Sequence, residues 1–209
     1  MALKLPIERS GWCRGELSLM SGRSARPNIE GNFSIMTGKR DQGFTLIELL
    51  IVVAIISIIA AIAVPGLLRA RMSGNETSAL ASLKVVNSSE VAYSASCGNN
   101  GYAVAFTVLA TPSPTMGFIS ADLGVATPIK SGYTFSLAAA PGANAGVNDC
   151  NGTATQTGYY ASAVPTGYGT TGSKSYATTA GNTVYQAWSA TAPTVTAAGV
   201  WSAGATPIG

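Results

Sequence analysis

Gly43-Phe44-Thr45-Leu46-Ile47-Glu48-Leu49-Leu50 opens an apolar run that continues to Val64, and a single carboxylate, Glu48, stands inside it. About twenty consecutive apolar residues are what a helix needs to cross the hydrocarbon layer of a bilayer. The run is apolar nearly all round rather than on one stripe, which suits a helix surrounded by lipid and not one lying on a globular core. An acid in such a span is costly, so a chain that keeps Glu48 is expected to offer it a partner.

Working outward, Pro65-Gly66 interrupts the apolar run. Proline removes the backbone bond to the carbonyl four residues back, at Ala61, and its ring clashes there. A kink or local loosening is expected, not an end, so Phe44 to Ser96 reads as one long helix. Beyond the proline, Ala79, Leu80, Leu83 and Val86 share one arc, and Val91 and Tyr93 return to its two edges. Ser82, Lys84, Ser88 and Ser89 lie off the arc, and Asn87 and Glu90 interrupt it. This half is amphipathic and needs something to pack against. Cys97-Gly98-Asn99-Asn100-Gly101 stops it.

The rest, 97–209, reads as a small head. Residues 102–130, with Pro112, Pro114 and Pro128, keep no regular period and are expected to connect. Gly132 to Leu137 alternates as a half-buried strand, and Gly158 to Val164 is a second strand stopped by Pro165. The segments 173–178 and 183–188 flank Thr179-Ala180-Gly181-Asn182 and suggest a hairpin. The Ala/Thr/Gly/Pro-rich stretch 189–209 is either an added strand or a loose tail. The expected class is α+β, with antiparallel strands covering the apolar stripe of the long helix.

The residues from Lys39 to Arg71, KRDQGFTLIELLIVVAIISIIAAIAVPGLLRAR, carry a resemblance to the prepilin signature of type IV pilins and type II secretion pseudopilins. The glycine, the phenylalanine after it, the glutamate at the fifth position past the glycine and Pro65 at the twenty-second all stand where that family has them. The resemblance implies that a prepilin peptidase cuts between Gly43 and Phe44 and that the new N-terminus is N-methylated. It implies a subunit held in the inner membrane by residues 44–64, with a cytoplasmic leader and an exported head. An assembly platform and an ATPase then help draw it into a helical homo-oligomer outside the cell. Glu48 would pair with the freed α-amine of Phe44, on its own or a neighbouring subunit, and Pro65 would be a point of flexibility during assembly. The runner-up is a pseudopilin of a periplasmic pseudopilus. Major pseudopilins bind calcium through clustered head acids, and only Asp122 and Asp149 are available in this head. A minor pilin with an adhesin or DNA-uptake role and a membrane-tethered soluble domain are further readings.

The basic leader, residues 1–43, would be discarded. Met36 would give an eight-residue leader, so 1–35 reads as a start-site extension or a disposable segment without a fold of its own. The leader holds seven of the twelve Lys and Arg and four of the nine Asp and Glu. The part after Gly43 is left with five of each sign and is formally neutral, which gives nucleic-acid binding no electrostatic footing. Cys13 goes with the leader, leaving Cys97 and Cys150. Two cysteines in an exported head favour a disulfide. The absence of histidine removes the usual general base and the triad built on it. No glycine-rich phosphate loop is present, and two thiols alone do not complete a zinc site. The reading is therefore a structural protein, not an enzyme, without cofactor or metal.

Overall fold

A computed structural model describes residues 43–111 and 116–208. The readings of the leader, with Lys39-Arg40 and Cys13, and of Pro112 and Pro114 lie outside the described residues.

Helix α1 runs from Leu46 to Ser96, 51 residues, about 75 Å at the rise of an α-helix. It passes through Pro65 without ending. Every residue from 43 to 71 is exposed. Its second half meets the head and buries Ala79, Leu83, Val86 and Tyr93. The buried face is wider than the apolar arc read from the sequence. Val91 is 47% exposed, whereas Ser82, Asn87, Ser89 and Glu90 are buried. Ser89 and Asn87 are admitted because they find partners. Ser89 Oγ donates to the Phe118 carbonyl at 2.8 Å. Asn87 accepts from the Tyr159 hydroxyl at 3.0 Å and donates to the Asn182 carbonyl at 3.3 Å.

The helix closes where the sequence breaks. The amides of Cys97 and Gly98 both donate to the Tyr93 carbonyl, and Asn99 and Asn100 take positive φ. Asparagine tolerates that left-handed conformation better than most residues. The region 102–130, expected to be irregular, contains a second helix, α2 (Phe106–Ala110). Its five residues are too few to show a helical period, yet it and the following turns bury Phe106, Leu109, Ile119 and Leu123.

Six strands follow: β1 (Ile129–Lys130), β2 (Tyr133–Ala139), β3 (Tyr159–Pro165), β4 (Ser175–Thr179), β5 (Val184–Ala187) and β6 (Thr206–Ile208). They form one antiparallel sheet in sequence order. The class is α+β, as the sequence implies. Leu137, Ala161, Thr178, Val184 and Ile208 follow one another across five strands on the face turned to α1. Small residues on β3, Ala161 and Ala163, are fully buried there and let the helix lie close. The β1–β2 connection is the two-residue turn Ser131-Gly132, with φ of 51° and 71°. Two successive positive φ values are what a type I′ hairpin demands.

The C-terminal stretch is not loose. It folds back over the outward face of the sheet before returning as edge strand β6. Tyr160 donates to the Pro193 carbonyl at 2.6 Å, Ser175 donates to the Ser189 carbonyl at 2.6 Å, and Tyr185 stacks on Trp201 with ring centroids 4.1 Å apart. The outward-facing Ser162, Ser175 and Ala177 are buried. Their small side chains leave the flat surface that a covering strap needs.

Candidate assembly and processing site

Gly43 and Phe44 are non-helical and exposed, Phe44 at 90%. A Cβ added at Gly43 would meet nothing within 4 Å. No packing among the described residues therefore calls for glycine at this position.

The helix begins with a capping box that the sequence reading passed over. Thr45 is extended, its hydroxyl accepts from the Glu48 amide at 3.3 Å, and Glu48 Oε2 accepts from the Thr45 amide at 2.9 Å and from its hydroxyl at 2.7 Å. The signal was legible as Thr45-Leu46-Ile47-Glu48 before an apolar run, the threonine-x-x-glutamate pattern of a helix start. Glu48 thus holds two of the otherwise unpaired groups at the helix entrance with one oxygen. Its second oxygen, Oε1, takes no hydrogen bond among the described residues.

Pro65 lies seventeen positions beyond Glu48, about 26 Å along the helix, so these two do not form one site. What connects them is the surface between. Ile51, Ile55, Ile58, Ile59 and Ile62 are each more than half exposed, and no other described part of the chain covers them. The helix is long and apolar enough to cross a membrane.

At the other end of α1 a clamp joins helix to sheet. Cys97 and Cys150 are disulfide-bonded with Cα atoms 4.9 Å apart, and the Cys150 amide donates to the Cys97 carbonyl at 2.8 Å. Beside the bridge, Asp149 accepts from the Tyr93 hydroxyl at 2.9 Å and from the amides of Asn151 and Thr153. Burial, and then the bond to Asp149, push the Tyr93 hydroxyl well above its usual range. Glu90 is fully buried. One of its oxygens accepts from the Ala103 amide at 3.0 Å, and the other, Oε1, has no partner among the described residues. Burial pushes its carboxyl up to about 8, partly opposed by the Ala103 bond. In the sequence Glu90 reads only as a break in the apolar arc, and nothing in its neighbours along the chain signals burial.

The two head aspartates are separately engaged. Asp122 pairs with Lys130 at 2.7 Å and accepts from Ser120; the Lys130 bond, chiefly, lowers its carboxyl to about 2. Among the described residues no three Asp, Glu or Cys side chains gather as a metal site.

Comparison with known proteins places the most informative stretch where the geometry does. Residues 38–64 match the family described as the prokaryotic N-terminal methylation motif. The chain is 64% identical over 36 residues to the type IV wide pilus major component PilA4 of Thermus thermophilus, covering 17% of this chain and 28% of that protein. It is 43% identical over 54 residues to the type IV major pilin protein PilA of Myxococcus xanthus, covering 26% of this chain and 24% of that one. The matches thus span about a quarter of the length of each relative. No solved structure matches the chain. The chain thus carries the prokaryotic N-terminal methylation motif at the start of a long apolar helix that is followed by a six-stranded antiparallel sheet, and over a short stretch it is similar to two type IV pilins.

Proposed function

We propose that the chain is a structural subunit of a type IV pilus, processed between Gly43 and Phe44 and polymerised through the first half of α1. The observation that carries this reading is the uncovered apolar helix. Residues 46–68 expose bulky aliphatic side chains all round, which is unfavourable in water. Lipid before assembly, and the same helix of other copies afterwards, would both cover them. The head is the soluble cap on this stalk, tied to it by the Cys97–Cys150 clamp.

Glu48 fits a role in setting axial position. Apolar packing is nonspecific along a helix, whereas a charged pair selects one register. One carboxylate oxygen is used in capping its own helix, and the other is open to an α-amine of Phe44. A break in the helix bond pattern at Pro65 supplies a place where the bundle can yield. The peptidase, the platform protein and the ATPase enter by analogy with type IV pilins.

The pseudopilin reading has less support here, because Asp122 and Asp149 are committed to Lys130 and to Tyr93 and nearby amides. The test is to shear surface filaments from the producing cells and identify their main component. Filaments built of this chain, beginning at Phe44, are expected. A chain found only in the cell envelope, with no surface filament containing it, would overturn the reading.

A further inference from the structure

The acidic side chains of the described chain are all engaged, and three of its cations are not. Glu48 caps its helix, Glu76 accepts from the amide and hydroxyl of Ser173, Glu90 is buried against Ala103, Asp122 pairs with Lys130, and Asp149 serves Tyr93 and its own turn. Lys174 lies over the Trp188 ring. Arg69, Arg71 and Lys84 are exposed on α1 without an ion pair among the described residues. Their counter-charge is therefore to be sought outside the described chain.

Arg71 differs from Arg69 and Lys84 in its surroundings. It lines a groove of about 410 Å³, within the range of small-ligand sites. Leu68 and Asn75 of α1, the Ser131-Gly132 turn and Thr170-Thr171 line it as well. The groove is braced: Asn75 donates to the Thr171 carbonyl at 2.9 Å, and Ser78 and Ser131 share a hydrogen bond at 2.8 Å. The amides of Ser131 and Gly132 make no backbone hydrogen bond among the described residues. One guanidinium, polar backbone and an apolar side chain thus converge on one space.

Its depth indicates the ligand. If residues 44–64 span the hydrocarbon layer, Arg71 begins seven residues beyond it, about 10 Å along the axis. Helical side chains lean toward the helix N-terminus, here toward the membrane, and a long arginine reaches back to the headgroup layer. The planar guanidinium matches a phosphate with two parallel hydrogen bonds. We propose that this groove binds the phosphate of an anionic phospholipid, with Leu68 against the start of its acyl chains, while the subunit waits in the membrane. The proposal rests on the membrane-held stage of the proposed function.

The test reconstitutes the full-length chain into vesicles of phosphatidylcholine, alone or mixed with phosphatidylglycerol, and counts retained lipids by native mass spectrometry after gentle detergent release. Preferential retention of phosphatidylglycerol is expected. Arg71→Gln should reduce it about fivefold, the scale of one basic residue at an anionic surface. Arg71→Lys should retain part of it, and Arg69→Gln and Lys84→Gln should leave it nearly unchanged. Equal loss in Arg69→Gln would show general attraction to the surface and overturn the groove. Displacement of the lipid by millimolar inorganic phosphate would make it a free-anion site and overturn the lipid assignment. Insertion resistant to alkaline extraction but without lipid preference overturns the site alone. Failure to insert in either vesicle overturns the membrane-held stage, and the site with it.

Discussion

At the residue scale, Glu48 has two duties that mutation can separate. Glutamine retains the side-chain acceptor and reach of a capping box but not the charge, whereas alanine loses both. If charge sets filament register, Glu48→Gln and Glu48→Ala should both leave the subunit inserted and folded and sharply reduce sheared filament, with Glu48→Asp intermediate. Full filament yield from Glu48→Gln, with loss only in Glu48→Ala, would assign the residue to capping its own helix. Glu90 makes a prediction about pH. Its carboxyl is raised by burial to about 8 from 4.5, so the folded head holds a proton that the unfolded chain releases. Its contribution is fully present below pH 4.5 and is lost progressively as pH rises to about 8. Glu90→Gln keeps the shape and cannot ionise. Denaturant titrations of the head should show a flatter stability profile across this window and a gain on the order of a few kcal/mol near pH 8. An unchanged profile would mean that Glu90 is ionised and solvated. Neither the capping box nor the buried acid was weighed in the sequence reading. The first was readable from Thr45 and Glu48; the second required knowing that the loop carrying Ala103 closes over the helix.

At the element scale, α1 is one helix with two environments. The apolar half needs no head and was readable from composition. The second half was readable only as an imperfect stripe, because hydrogen bonding, not periodicity, admits Asn87 and Ser89 to the core. α2 was missed for lack of length. The clamp between the end of α1 and the β2–β3 loop is the Cys97–Cys150 bridge. Closing a loop with 53 residues of sequence separation stabilises by about 4 kcal/mol on chain-entropy arithmetic. Cys150→Ser should therefore destabilise the head by about 2–5 kcal/mol, read as a lower denaturant midpoint with a somewhat steeper slope, because the unfolded chain without the cross-link is more expanded. An unaltered midpoint would mean that the Asp149 turn and the Cys150 amide hold the joint without the bridge. Leu83, fully buried on the same helix, is expected to cost about 2–5 kcal/mol on replacement by alanine, whereas exposed Val91→Ala should change little.

At the scale of the whole molecule, the proposed life of the chain turns on one cut. Intact-mass measurement of the membrane-held form should show an N-terminus at Phe44 carrying one added methyl group. Gly43→Leu should block the cut without disturbing the head, since a Cβ added there meets nothing within 4 Å among the described residues. A wild-type chain still carrying residues before Phe44 would remove the basis for filament entry. By itself the sequence determined the apolar stalk, its acid, the Gly43-Phe44 pair on which the proposed processing rests, and the α+β class. These depend on local composition and on fixed spacing along one segment, which a linear reading preserves. Tertiary structure decided what lies across the sheet and the helix: the meander order, the C-terminal strap over the small-residue face, the burial of Glu90 and the groove at Arg71. Each joins residues of different elements, so it is set by how those elements pack against one another and not by composition within any one of them.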